Sequence, residues 1–203
     1  DKWSFVPGVR MDSHSMFGTH WTPKMALNYN ADNKTQVYAS WGRIFKAPTA
    51  DDLYYNVNSW GGYYGNPNLR PETGYTETLG ISHKFDRNTS MQASVFKSEI
   101  HNAIDWYGAG GSFYVTNIAL EKRHGFELSF QKKINSIWSY DLAYSYIHVE
   151  TDDPTYTTAF TKSNPLPNGY RIGLHYTKGA WKANLLGRMG SGLDRRCYST
   201  SHY

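Results

Sequence analysis

The sequence predicts an all-β fold: an antiparallel up-and-down transmembrane β-barrel, of which about nine strands are present, too few to close on their own. Three observations lead there. Apolar and polar residues alternate with period two along most of the chain, the charges collect on one of the two faces so defined, and the connections alternate between short and long.

The first strand is expected over Trp3 to Asp12, where Trp3, Phe5, Val9 and Met11 oppose Ser4, Gly8, Arg10 and Asp12. The second and third, Pro23 to Tyr29 and Gln36 to Phe45, are set apart by the turn residues Ala31 to Thr35. A fourth runs from Tyr75 to Phe85. A fifth, Met91 to Trp106, has a flaw at Val95 and Phe96, where the apolar phase slips by one residue, as a β-bulge or a different register would produce. The sixth, Phe113 to Lys133, is the clearest, with Ile118, Leu120, Phe126, Leu128 and Phe130 on one face and Glu121, Arg123, Glu127 and Gln131 on the other. In the seventh, Trp138 to Val149, the residues Trp138, Tyr140, Leu142, Tyr144 and Tyr146 oppose Ser139, Asp141, Ala143 and Ser145. Tyr170 to Thr177 and Trp181 to Gly190 complete the set with the same two-sided pattern.

A soluble β-sandwich also has strands with one wet face, and two features argue against it. Arg10, Lys24, Glu121, Arg123, Glu127, Asp141, Arg171 and Arg188 fall on the polar face, while the apolar face is rich in Tyr and Trp near strand ends. Short turns at Ala31 to Thr35, Asp86 to Thr89, Asn135 to Ser136 and Lys178 to Gly179 alternate with links read as longer, at Ser13 to Thr22, Ala47 to Gly74, Gly108 to Ser112 and Thr151 to Gly169. Barrels of outer membranes sort their loops in this way, short on the periplasmic side and long outside. Expected outward-facing residues are Trp138, Tyr140 and Phe126, with Arg123, Asp141 and Arg171 on the lumen side.

Composition agrees. The 203 residues include 17 Tyr and 7 Trp, yet only 39% are hydrophobic, so the aliphatic stock of a soluble core is short. No run approaches the roughly 20 apolar residues of a membrane helix, and the first residues carry no secretion-signal pattern. The single Cys197 excludes an internal disulfide, and a net charge of +4 spread along the chain leaves no nucleic-acid footprint.

The stretch WGRIFKAPTADDLYY, followed by a Tyr-rich loop and then GNPNLRPETGYTETLG, resembles the most characteristic part of TonB-dependent receptor barrels. In that family a Phe-x-Ala-Pro box ends one strand and an Asn-Pro-x-Leu-x-Pro-Glu box opens the next. Phe45, Ala47, Pro48, Asn66, Pro67, Leu69, Pro71 and Glu72 match these boxes. Pro48, Pro67 and Pro71 lack a donor and fix φ, so they suit places where sheet pairing stops. The resemblance implies an outer-membrane location in a Gram-negative envelope and contacts with outer-membrane lipid. It further implies import of a metal chelate such as a ferric siderophore or cobalamin, with energy from a TonB complex that acts through an N-terminal region. Residues 1 to 203 are expected to be a partial barrel domain, with the plug domain and the final strands outside them. The family it resembles includes haem receptors, but the haem-ligating His such receptors place between the two boxes has no counterpart here. A passive porin remains the rival membrane reading and lacks the paired boxes.

Within the long loop, Tyr54, Tyr55, Trp60, Tyr63 and Tyr64 are the candidate ligand-contacting residues, because large aromatic rings on an external loop offer contact area at low entropic cost. His14, His20 and His148 stand where they could approach a ligand, and His124 falls on the lipid side. No Cys or His cluster has metal-ligand spacing, no phosphate loop follows a strand, and no Ser, His and acid can be placed together, so neither a metal site, a bound cofactor nor an enzyme activity is expected.

Overall fold

The computed structural model describes residues 1–57, 61–152 and 167–191. Among them one sheet contains nine long strands in chain order: β1 (Trp3–His14), β2 (Gly18–Asn30), β3 (Thr35–Lys46), β6 (Glu72–Lys84), β7 (Thr89–Ala109), β8 (Ser112–Lys133), β9 (Trp138–Asp152), β10 (Asn168–Lys178) and β11 (Trp181–Ser191). Each pairs antiparallel with the next, and β1 and β11 are not hydrogen-bonded to each other. The loop between β3 and β6 adds a short helix α1 (Ala50–Tyr54) and two two-residue strands, β4 (Asn56–Val57) and β5 (Tyr63–Tyr64).

Register explains why alternation was so clean. One lateral row of directly paired residues crosses all nine long strands as Trp3, Tyr29, Val37, Ile81, Ala93, Leu128, Tyr144, Tyr170 and Met189, without a charge. The flanking row on the same face begins Phe5, Leu27, Ala39, Leu79, Val95, Phe126 and Tyr146. These side chains are exposed in bulk, Trp3 at 60% and Leu79 at 54%, which fits a face that meets lipid rather than a core. Phe126, Trp138 and Tyr140 share this face, and Arg123, Asp141 and Arg171 share the other. Towards the long-loop end the apolar face changes character. There, Glu77, Lys97, His124 and His148 form one row, with Arg43, Tyr75, Glu99, Lys122 and Glu150 beyond it, so the apolar band stops below them.

Two expectations need correction. Ser13 to Thr22 and Gly108 to Ser112 are not long loops. The strands run on to tight turns at residues 15–17 and at Gly110 and Gly111, where positive φ values of 58° and 81° suit glycine. Polar residues near the strand ends hid this, because a strand that rises out of the lipid loses its apolar alternation while keeping its ladder. The slip at Val95 and Phe96 is neither a bulge nor a shifted register. Pairing continues through Thr78, Phe96 and Gly125, and Phe96 is an apolar residue on the polar face, laid over a glycine that leaves room for its ring. The real irregularity is Asn102, with φ 55°, which drops out of the β7–β8 ladder although no residue is inserted. The nine long strands are antiparallel throughout, as expected, and the two-residue β5 adds one parallel pairing with β8.

The short turns are built by Asx geometry. Asp32 accepts from the backbone N–H groups of Lys34 and Thr35, Asp86 from that of Asn88, and Asn135 from those of Ile137 and Trp138. The N–H donors hold the Asp32 and Asp86 carboxyls below the ordinary carboxylate range, the Lys34 and Asn88 backbone bonds leading.

Candidate functional site

Residues 47–57 and 61–71 form a folded insert. Pro48 is buried where β3 ends, and Thr49 caps α1 in a reciprocal box: its hydroxyl accepts from the Asp52 N–H at 3.1 Å, and Asp52 accepts from the Thr49 N–H at 2.9 Å. Burial alone would raise the Asp52 carboxyl. Hydrogen bonds from the Thr49 side chain and backbone and from Trp106 outweigh it and hold the group below its usual range. Replacing Thr49 by Ala is expected to cost about 1 kcal/mol of local stability, read as faster proteolysis between residues 49 and 65 in the folded receptor. Because the folded-state value of Asp52 is depressed, its contribution is present above the ordinary carboxylate range, near pH 4, and is lost as pH falls through the lowered value. Protection of this segment should therefore hold from pH 7 to about pH 4 and weaken below, and Asp52→Asn should flatten that dependence.

The insert leaves the β3–β6 rim and crosses to β7 and β8. Leu53 and Leu69 are buried with Val115 of β8, and Phe17, Ile104 and Trp106 pack around them. Val115 belongs to the polar-face register of β8, together with Asn117 and Glu121, so the insert lies over that face. Beyond it, β5 adds to the β9-side edge of β8: among the described residues β9 pairs as far as Leu120, and Tyr63 and Tyr64 pair with Phe113 and Tyr114 further along. The Phe113 N–H donates to Gly62 O at 2.7 Å to complete this addition.

The two sequence boxes are the hardware of this docking. The side chain of Asn66 donates to Val115 O at 3.4 Å and accepts from the Asn68 N–H at 2.9 Å. Asn117 of β8 clasps the next residues, accepting from the Arg70 N–H at 2.8 Å and donating to the carbonyls of Arg70 and Asn102. Glu72, 8% exposed, accepts from Lys46 Nζ at 3.1 Å and from the Ile104 N–H at 2.8 Å, beside the irregular Asn102. Glu72 thus serves a backbone donor next to the Asn102 irregularity, where the ladder is interrupted. Phe45 is held by stacking against His20 at 4.0 Å and by Arg10, which donates to its carbonyl at 3.1 Å. Pro67 and Pro71 flank the buried Leu69, and Ala47 precedes Pro48 at the exit of β3. Glu72→Gln is expected to keep the fold but weaken two charge-assisted bonds, by about 1.5–3 kcal/mol for the insert, measured by hydrogen exchange at the Ile104 amide.

The aromatic candidates divide. Tyr55 and Tyr63 lie 6.2 Å apart edge to face, and Tyr63 stacks on Phe113 at 4.8 Å with Trp106 at 6.1 Å. Tyr64 points the other way, stacked on Tyr114 at 5.2 Å, with Tyr107 beyond that ring. Tyr54 is apart from both, its hydroxyl donating to Met16 Sδ. Trp60 lies outside the described residues, as do Cys197 and most of the link after β9. Trp106 and Phe113 were not singled out in the sequence. The hairpin about Gly110 and Gly111 brings them together, and β5 addition, which no local pattern announces, sets Tyr63 on them. Of the histidines, His14 is spent on its own turn and His20 on Phe17 O and Phe45. His148 faces away from the insert, paired with Glu150 and 5.0 Å from the ring of His124. Among the described residues no group of three or more His, Cys, Asp or Glu is arranged to hold a metal.

Comparison with known proteins places this geometry. Residues 1–202 match the family described as TonB dependent receptor-like, beta-barrel. The vitamin B12 transporter BtuB of Vibrio vulnificus strain YJ016 is 35% identical over 122 residues, covering 59% of this chain and 19% of that protein. BtuB of Photobacterium profundum is 30% identical over 152 residues, 71% of this chain and 23% of its own length. The siderophore receptor PirA of Pseudomonas aeruginosa superposes with a TM-score of 0.68 at 20% identity, over 94% of this chain and 35% of that one. The chain thus spans about a fifth to a third of the lengths of these proteins, and by the match over almost all of its residues it belongs to the TonB-dependent receptor family, within the β-barrel domain.

Proposed function

We propose that the receptor to which this barrel sequence belongs imports a metal chelate across the outer membrane of a Gram-negative-type envelope, with energy supplied through TonB. The observation that carries the reading is the insert at residues 47–57 and 61–71, held by both sequence boxes over the polar face and presenting Tyr55 and Tyr63 beside Trp106 and Phe113. A preorganised aromatic surface above a lumen wall is what capture of a bulky ligand from outside requires. Cobalamin is the first candidate, since the 30–35% identical relatives are vitamin B12 transporters, and a ferric siderophore is the second. A haem receptor is disfavoured by the absence of His between Pro48 and Asn66. Nothing in this reading involves catalysis.

Uptake by whole cells carrying the complete gene tests it. Radiolabelled cyanocobalamin and a ferric siderophore are supplied to isogenic cells with and without TonB. Accumulation of one chelate that disappears with TonB is the expected result. Uptake indifferent to TonB and scaling with solute size would instead make the protein a porin.

A further inference from the structure

The turn that joins β1 to β2 consists of Ser15, Met16 and Phe17, an apolar tip where exposed hairpins ordinarily place Gly, Asn or Asp. Phe17 is nevertheless half-buried, because its ring packs against the cluster of Leu53, Leu69 and Val115 that seats the insert. Next to it, Met16 Sδ accepts from the hydroxyl of Tyr54 in α1 at 3.5 Å. Ile104 and Trp106 reach the same cluster from β7. In the sheet, β3 and β6 stand between β2 and β7, so among the described residues no strand pairing sets the spacing of these two hairpins. The cluster beneath the insert joins them instead.

Phe17 is aimed by its own neighbours. The Met16 N–H donates to His14 Nδ1 at 3.1 Å, and the His14 ring lies 4.9 Å from that of Phe17. Gly18, with φ 76° and open space where a Cβ would stand, turns the chain back into β2. His20 Nε2 donates to Phe17 O at 2.7 Å, and the His20 ring stacks on Phe45 at 4.0 Å, just before the insert leaves β3. One turn residue is thereby tied to the root of the insert through its carbonyl and to the body of the insert through its ring. Such a tie is needed, since α1 has 5 residues and a helix of that length does not hold itself. At its C-terminal end stands Tyr55, set edge to face with Tyr63. We propose that Phe17 is a positioning residue for ligand capture, clamping the base of α1 so that Tyr55 and Tyr63 stay beside Trp106 and Phe113. The inference rests on the reading of those four rings as the capture surface.

Hydrogen exchange on the complete receptor in detergent tests the clamp directly. The Leu53 and Tyr55 amides donate to Thr49 O and Asp51 O within α1. In F17A they are expected to exchange at least about tenfold faster, while the Leu27 amide of β2 is unchanged and heat-modifiable gel mobility shows an intact barrel. F17L keeps an apolar side chain at the site and should hold both amides within about threefold of wild type. Whole-cell binding supplies the functional arm, with radiolabelled cyanocobalamin and ferric enterobactin as probes. Whichever probe the wild type binds should be held at least about fivefold more weakly by F17A. Added to Y55A/Y63A/W106A/F113A, F17A should cost less than about a further twofold, because it acts only through those rings. Unchanged Leu53 and Tyr55 amides in F17A, or full binding despite faster exchange, would overturn the proposal. So would a full additional loss in the four-alanine variant, the mark of direct contact between Phe17 and the ligand. A wild type that binds neither probe would count against the chelate reading alone, and the exchange result would still decide whether Phe17 holds the insert.

Discussion

Gly125→Val should prevent the barrel from assembling. A Cβ at residue 125 would sit 2.0 Å from Tyr146 O and 2.8 Å from the ring of Phe96, and the first of these is backbone that cannot swing aside. Gly74 faces the same limit, with Glu99 O at 1.9 Å from its would-be Cβ. Overpacking ordinarily costs about 1–3 kcal/mol, and a clash with a paired strand belongs at or above the upper end. The β-branched side chain would have to spread β8 from β9 at the long-loop border of the lipid-facing band, between the Phe126 and His124 rows. The expected readout is loss of heat-modifiable, protease-resistant receptor from outer membranes, with Gly125→Ala intermediate. Gly110→Ala makes a useful control: nothing lies within 4 Å of its would-be Cβ, and only its φ of 58° is at stake.

The second large effect is on ligand capture. Tyr55, Tyr63, Trp106 and Phe113 are expected to form the contact surface, so replacing all four by Ala should weaken chelate binding to whole cells by more than about tenfold, or 1.4 kcal/mol. Tyr64→Ala and Tyr54→Ala should do much less, because one ring stacks outward on Tyr114 and the other sits by Met16. Protease resistance of the assembled barrel separates lost contact from lost folding. Equal losses from the Tyr64 and Tyr63 substitutions would refute this division and leave the aromatics as packing around the insert.

Much of this fold could be read from residue order, for a physical reason. Strands such as Trp138–Tyr146 meet two different solvents on their two faces, and each side chain must choose one, so period two is written directly into the chain. Where strands leave the lipid that constraint ends, which is why Gly18–Trp21 reads as loop and the fifth strand reads as ending at Trp106, although the ladder continues through Tyr107, Gly108 and Ala109. The boxes around Pro48 and Pro71 could likewise be found, but not what they do. Glu72 accepts from the Ile104 N–H 32 residues away, beside the break in the ladder at Asn102, and Asn117 clasps Arg70 across 47 residues, contacts that no local pattern encodes. Tyr63 and Tyr64 looked equivalent as neighbours in a tyrosine-rich run, and only their pairing with β8 sends them to opposite sides.

The uncharged row from Trp3 to Met189 also works as a check on assembly. Every residue in it is adjacent in sequence to one of the opposite face, and in three strands that neighbour is charged: Glu127 beside Leu128, Arg171 beside Tyr170 and Arg188 beside Met189. If β10 or β11 docked one residue out of step, an Arg would enter the hydrocarbon at a cost of about 2–4 kcal/mol near the midplane. A strand paired out of register is therefore penalised as it docks, by the hydrocarbon as well as by its neighbours, and the membrane itself proofreads the pairing.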